Sequence, residues 1–197
     1  MNPVAESKKI LRKEMLARRR NLSQAVIAAE SKAIEQALEG WPLYQQANAI
    51  MIYVALADEP QTLLLIEQTL LRNKKICVPF IGEKAGIMEA SLIESLTELA
   101  PGKYGILAPV KEKLRNIQPE CIDLILVPGV AFTSHGQRLG MGAGYYDRFF
   151  DQAHNALKIG LAFKCQIIEE IPCEGHDHSI DYLATKDGII NCKTGKM

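Results

Sequence analysis

The sequence lacks several things, and each absence closes off a class of function. It has no surplus of charge, because 23 basic side chains balance 23 acidic ones in 197 residues. No overall field therefore draws the chain to nucleic acid or to an anionic membrane, and any phosphate binding must be local. It has no long apolar run. The best candidate, CIDLILVPGVAF at 121–132, is too short and is interrupted by Asp and Pro, so it does not suit a bilayer. The basic N-terminal stretch leads into no signal-type apolar segment. A soluble cytoplasmic protein is expected, with no nucleic-acid or membrane partner.

Paired cysteine motifs are also missing. Cys77, Cys121, Cys165, Cys173 and Cys192 form an odd, scattered set without CxxC, in a chain large enough to fold without staples. They are expected to be reduced thiols serving as small apolar residues, since nothing places a general base beside any of them. Internal repeats, low-complexity tracts and linkers are absent too. The expected architecture is α/β: one three-layer α/β/α domain over residues 1–197, with a mainly parallel central sheet.

What is present supports that class. In ESKKILRKEMLARRR (6–20), Ile10, Leu11, Met15 and Leu16 give an amphipathic helix ending at Asn21. A second helix is predicted from the N-cap Ser23 to Glu39, closed by Gly40 and the Trp41-Pro42 break. ANAIMIYVAL (47–56) predicts a buried strand, QTLLLIEQTLLRN (61–73) a helix and KKICVPFI (74–81) the next strand, which together make a β–α–β unit. Residues 82–116 are less regular, with short strand candidates at IMEASLI and GILAP. IDLILVPGVAF (122–132) predicts a strand buried on both faces that leads straight into a glycine-rich loop, and KIGLAF and SIDYLATKDGII predict a last strand pair.

The loop is RLGMGAGYYDRFF, 138–150. Gly140, Gly142 and Gly144 free the backbone to approach a ligand. The i, i+4 pairs Tyr145/Phe149 and Tyr146/Phe150 predict a helix from about Ala143, so the glycines precede a helix N-terminus, which favours phosphate. Arg138 adds a planar cationic fork, and Asp147 in the first turn is placed to hold Mg²⁺ beside the phosphates. The Gly-Lys-Ser/Thr ending of a Walker loop is missing, as is the spacing of a dinucleotide fingerprint.

PGVAFTSHGQRLGMGAGYYDRFF resembles the signature of the 5-formyltetrahydrofolate cyclo-ligase family. KKILRKEM near the start, YVALADEP and IPCEGHDHSID resemble three further stations of that family in the same order. The resemblance implies an ATP- and Mg²⁺-dependent enzyme converting 5-formyltetrahydrofolate to 5,10-methenyltetrahydrofolate, acting as a monomer on small-molecule substrates. By the same resemblance the nucleotide is held by Lys8, Lys9, Ile10, Leu11 and Arg12, and by Arg138, Leu139, Gly140, Met141, Gly142, Ala143, Gly144, Tyr145 and Tyr146. Lys8 and Arg12 bind phosphates, and Lys13, Arg18, Arg19 and Arg20 of the same helix are left as surface. Folate would meet Val54, Glu59 and the Met141–Tyr145 stretch, with Asp58 as the alternative to Glu59. Lys8, Arg138 and Tyr146 take the catalytic roles, and Asp147 and Asp177 the metal. His176 and His178 share one side if that segment is a strand, but two imidazoles without a third partner make a poor transition-metal site.

Overall fold

The computed structural model describes residues 3–82 and 86–197. Alternation along two short strands sets its layers. In β1 (Ala49–Ile52), Ile50 and Ile52 join one hydrophobic cluster and Met51 another; in β7 (Leu124–Val127), Leu124 and Leu126 join the first, and Ile125 and Val127 the second. Every residue of both strands is buried, as a parallel sheet covered on both faces requires. The first face is covered by α2 (Gln24–Glu39) through Ile27, Ile34 and Leu38, by α3 (Pro42–Gln46) through Tyr44, and by α4 (Leu63–Leu71) through Leu65 and Ile66. The second is covered by α5 (Tyr145–Phe150) through Phe149 and Phe150. α1 (Pro3–Arg20) anchors Met15 in a third cluster with Val130, Ala131, Leu139 and Ile171.

The central sheet has eight strands in the order β12-β11-β10-β7-β1-β2-β3-β6. β1, β2 (Lys75–Phe80), β7, β10 (Leu157–Leu161) and β11 (Tyr182–Thr185) are parallel. The outer strands, β12 (Gly188–Asn191) at one edge and β3 (Glu89–Ile93) followed by β6 (Asn116–Ile117) at the other, run antiparallel to their neighbours. Two small ribbons stand outside the sheet: β4 (Leu99–Pro101) with β5 (Leu107–Pro109), and β8 (Ala131–Phe132) with β9 (Arg138–Leu139). From β1 the chain passes through α4 to β2 on one side, while β7, β10 and β11 build out on the other. In an open parallel sheet such a reversal leaves a crevice at the carboxyl ends of the two central strands.

Several expected boundaries move. The strand predicted over 47–56 is only four residues long, because the backbone beyond Ile52 is tied to a loop: Thr62 Oγ1 donates to the Tyr53 carbonyl at 2.7 Å and accepts from the Ala55 N–H at 3.2 Å. The strand predicted through 132 breaks at Pro128-Gly129, where the Phe132 ring leaves no room for a Cβ on Gly129. The chain turns there, so β9 rather than β7 delivers the glycine loop. The helix expected from Ala143 begins at Tyr145, because Gly144 has φ +67°, outside helical space. SIDYLATKDGII forms a hairpin, β11 and β12, rather than one strand. α3 follows directly from Pro42, whose ring suits a first helical position. Residues 83–85 of the segment predicted to be irregular lie outside the described residues; the rest supplies β3, the β4–β5 ribbon and β6. Among the described residues no helix is long and apolar enough to cross a membrane.

Candidate active site

The carboxyl ends of β1, β2 and β7, the β4–β5 ribbon, α1 and the glycine loop enclose a cleft of about 1150 Å³ at the crevice. That exceeds the ~300–1,000 Å³ usual for a site holding one small ligand. One face of α1 runs along it. Lys8, Arg12, Met15 and Arg19 fall at i, i+4, i+7 and i+11, within a narrow stripe at 100° per residue, and Lys8 and Arg19 are about 16 Å apart along the axis.

At the Lys8 end, arginines cover the glycine loop. Gly142 (φ +95°) lies under Arg12, whose Cζ would be 3.2 Å from a Cβ there and whose Nε donates to the Gly140 carbonyl at 2.8 Å. Gly144 (φ +67°) lies under Arg148, whose Nη1 would be 2.7 Å from a Cβ. Arg148 also donates to the carbonyls of Ala143 at 2.7 Å and Gly86 at 2.8 Å, and stands 5.6 Å from the Tyr145 ring centroid. Sequence reading passed over Arg148. The available signal was a cation four residues after a loop glycine, one helical turn on.

Arg138 is almost wholly buried. Its Nη2 donates to Asp147 Oδ1 at 2.8 Å, its Cζ lies 5.6 Å from the centroids of both Tyr146 and Phe150, and its Nε has no partner among the described residues. The Tyr146 hydroxyl is likewise buried without a partner among the described residues. Burial, opposed by Arg138 and reinforced by Glu59 and Cys77, holds the phenol far above its ordinary pKa. An orphaned buried donor costs about 1–3 kcal/mol, and a native fold tolerates one where a ligand completes it.

Lys8 is held between Asp177 Oδ2 at 2.5 Å and Glu174 Oε2 at 2.9 Å. Burial pulls its ammonium pKa down, but the hydrogen bonds and charges of the two carboxylates outweigh that and raise it. For Asp177 burial acts upward, and the Lys8 hydrogen bond with the Glu174 N–H at 2.7 Å prevails, lowering it. Asp147 Oδ1 also accepts the His178 N–H at 3.3 Å, so the two aspartates are neighbours in space. Each uses one oxygen, leaving Asp147 Oδ2 and Asp177 Oδ1 without a partner among the described residues. Two partly exposed carboxylates with free oxygens lining one cleft fit a hard divalent cation such as Mg²⁺.

The segment around Asp177 is a turn, not a strand, which changes the histidine arithmetic. His178 turns away to Asp151 at 2.9 Å and the edge of Phe150, while Glu174, unforeseen, joins His176 and Asp177 so that one donor atom of each lies within 4.8 Å of the others.

At the far end of α1, Glu59 is buried. Its Oε2 accepts the Leu56 N–H at 3.0 Å and its Oε1 accepts from Arg19 Nη1 at 3.3 Å. Burial raises its pKa, while the Leu56 N–H and Arg19 oppose the rise and Asp58 adds to it. Arg19, expected on the surface, is only 2% exposed. The reason is its place on the inward stripe, which hydrophobic patterning skipped because three of its four members are cations. Of the remaining expected contacts, buried Val54 and Leu139, half-buried Tyr145 and exposed Met141 and Ala143 line the cleft. Lys9, Ile10 and Leu11 do not: Lys9 pairs with Glu6 at 3.7 Å, Ile10 is exposed, and Leu11 packs against the Met15 cluster. The five cysteines are free; burial pushes the thiol of Cys77 up to about 12 and that of Cys192 up to about 11.

The fold and the cleft, with cations and carboxylates near Lys8 and a buried carboxylate near Arg19, define an α/β protein with a large polar-lined site at the carboxyl ends of its central strands. Comparison with known proteins gives the class a family. Residues 4–186 match the model of the 5-formyltetrahydrofolate cyclo-ligase family. The chain is 31% identical to 5-formyltetrahydrofolate cyclo-ligase of Mycolicibacterium smegmatis, covering 93% of this chain and 96% of the relative, and 29% identical to the mouse enzyme of that name over the same shares. The solution structure of 5,10-methenyltetrahydrofolate synthetase from Aquifex aeolicus superposes with a TM-score of 0.82 at 30% identity, covering 96% of this chain and 95% of that one. The chain belongs to the 5-formyltetrahydrofolate cyclo-ligase family and is a ligase.

Proposed function

We propose that this chain converts 5-formyltetrahydrofolate and ATP to 5,10-methenyltetrahydrofolate, ADP and phosphate, with Mg²⁺, as a monomeric single domain whose cleft is complete within one chain. The formyl oxygen takes the γ-phosphoryl group, N10 attacks the activated formyl carbon and gives up its proton to solvent, and the C–O bond breaks so that the oxygen leaves as phosphate, closing the ring. An amide oxygen is a poor leaving group until it is phosphorylated. The work left to the protein is therefore alignment and neutralisation of charge.

The chain divides that work between the two ends of α1. Amides of residues 140–146 and the side chains of Lys8, Arg12 and Arg138 receive the phosphates. Asp147 and Asp177 would hold Mg²⁺, which supplies neutralisation of phosphate charge when bound. The orphaned Tyr146 hydroxyl, held neutral by burial, donates a hydrogen bond where the substrates meet. Val54 borders the pterin and Glu59 accepts from it: each carboxylate oxygen has two lone pairs, one already used, which leaves one on each for the adjacent amino and ring N–H donors. No nucleophilic side chain is needed, in keeping with the thiols of Cys77 and Cys192 held protonated by burial.

The observation that carries this reading is the opposed chemistry along one helix: cations and free carboxylate oxygens near Lys8, and a buried acceptor about 16 Å away at Arg19. The test is to incubate the purified protein with 5-formyltetrahydrofolate, ATP and Mg²⁺ and follow the absorbance of the methenyl product. ATP-dependent product supports the assignment. No product from folded protein overturns it.

A further inference from the structure

We propose that Arg19 is the positioning residue of the folate end, fixing and ionising the Glu59 carboxylate that receives the pterin. The inference rests on the reading of Glu59 given under Proposed function. It comes from an arrangement that the phosphate chemistry of α1 does not use. Arg19 is 2% exposed, buried more deeply than Lys8 although it carries a permanent charge. Burying a guanidinium is costly, and partners for its donors offset that cost. Here Nε and Nη2 share Asp58 Oδ2 at 3.1 and 3.0 Å, and Nη1 is divided between Glu59 Oε1 at 3.3 Å and the Gly129 carbonyl at 3.4 Å. Gly129 lies in the turn after β7, so one side chain ties α1, the acidic loop after β1 and the end of β7 together at the switch point of the sheet.

The stoichiometry is informative. One guanidinium faces two carboxylates, the buried Glu59 of the cleft wall and Asp58, whose side chain is 26% exposed, so the cluster is net negative and matched to a ligand edge made of N–H donors. The other groups electrostatically coupled to Glu59 are the phenols of Tyr53 and Tyr146, and burial holds both neutral. Arg19 is therefore the cation that keeps Glu59 an acceptor rather than a neutral acid. Its hold on Oε1, with the Leu56 N–H on Oε2, fixes which lone pairs face the ligand.

The test measures binding of 5-formyltetrahydrofolate and, separately, of MgADP to folded variants between pH 5.5 and 8.5. Arg19→Met is expected to weaken folate binding about tenfold or more near neutrality and to move its pH midpoint up by ~1 unit or more, the size of effect that loss of an adjacent opposite charge produces. Affinity should recover as the pH rises and Glu59 ionises, and MgADP affinity should change less than about twofold, because the nucleotide end lies ~16 Å away. Arg19→Lys should restore most of the pH profile. Asp58→Asn should move the midpoint down, since it removes the carboxylate that competes for Arg19, and it carries the test if Arg19→Met does not fold. An unchanged folate pH profile in folded Arg19→Met, an equal loss of MgADP affinity, or no downward move in Asp58→Asn overturns the proposal. Glu59→Gln separates it from its foundation. Wild-type folate binding in that variant removes the pterin contact itself, whereas lost binding there with an unmoved profile in Arg19→Met removes only the role of Arg19.

Discussion

Replacing Lys8 by Met should have three effects of different sign. Its ammonium makes two charge-assisted contacts, at 2.5 and 2.9 Å, to carboxylates whose side chains are 22% and 21% exposed. Such bonds contribute ~1.5–3 kcal/mol each when well buried. Partial exposure lets water recover part of that, so a total loss of about 1–3 kcal/mol of stability is expected, or roughly 2–12 °C in Tm for a chain of this size. Lys8 has its pKa raised above 10.5, so its contribution is present below that value and lost as pH rises through the folded pKa. Asp177 has its pKa lowered below 3.8, so its contribution is present above that value and lost as pH falls through the folded pKa. The deficit of Lys8→Met should thus persist across neutral pH and close in acid below 3.8.

The second and third effects concern ligands. Loss of a cation that stabilises developing phosphate charge should lower kcat/KM by roughly 10²–10³-fold. Binding of Mn²⁺ alone, as a probe for the metal, should instead strengthen about tenfold, since a like charge ~5 Å away contributes more than the ~1.4 kcal/mol this requires. Steady-state kinetics, thermal melts and Mn²⁺ titration followed by electron paramagnetic resonance measure the three. A folded Lys8→Met protein with wild-type kcat/KM, or with unchanged Mn²⁺ affinity, would refute the reasoning.

Gly144→Ala should cost about 1–2 kcal/mol for a left-handed residue with a side chain, and more as Arg148 is displaced from Gly86 and Ala143; an unchanged Tm would contradict the packing described. Tyr146→Phe should leave stability unchanged or raise it by about 1 kcal/mol, because it removes an unpaired buried hydroxyl, while lowering kcat. Equal losses of stability and activity would show that the hydroxyl serves the fold rather than the substrates.

The layers of this fold were legible where burial speaks plainly. Ile50, Met51 and Ile52, and the run Leu124–Val127, predict a sheet covered on both faces, and Ser23 predicts the start of α2 through its bond to the Val26 N–H. Boundaries set by contacts distant in sequence were not legible: Thr62 ending β1, or Phe132 turning the chain at Gly129. The candidate site divides in the same way. The glycine loop and Asp147 could be found from local spacing, and the family resemblance supplied Lys8, Glu59 and Asp177. Neither disclosed that Lys8 and Arg138 rest on the acidic groups expected to hold metal, nor that Arg19 turns inward. These are pairings between residues 9 to 169 positions apart, and nothing in the local pattern of a basic helix separates them from its solvated neighbours.

The most direct measurement is a crystal structure with a non-hydrolysable MgATP analogue. The account predicts phosphate oxygens ~2.7–3.2 Å from backbone amides of residues 140–146, with Lys8 and Arg138 turned from their aspartates toward the phosphates and the metal on Asp147 and Asp177. A triphosphate bound elsewhere, with both ion pairs still closed, would contradict it.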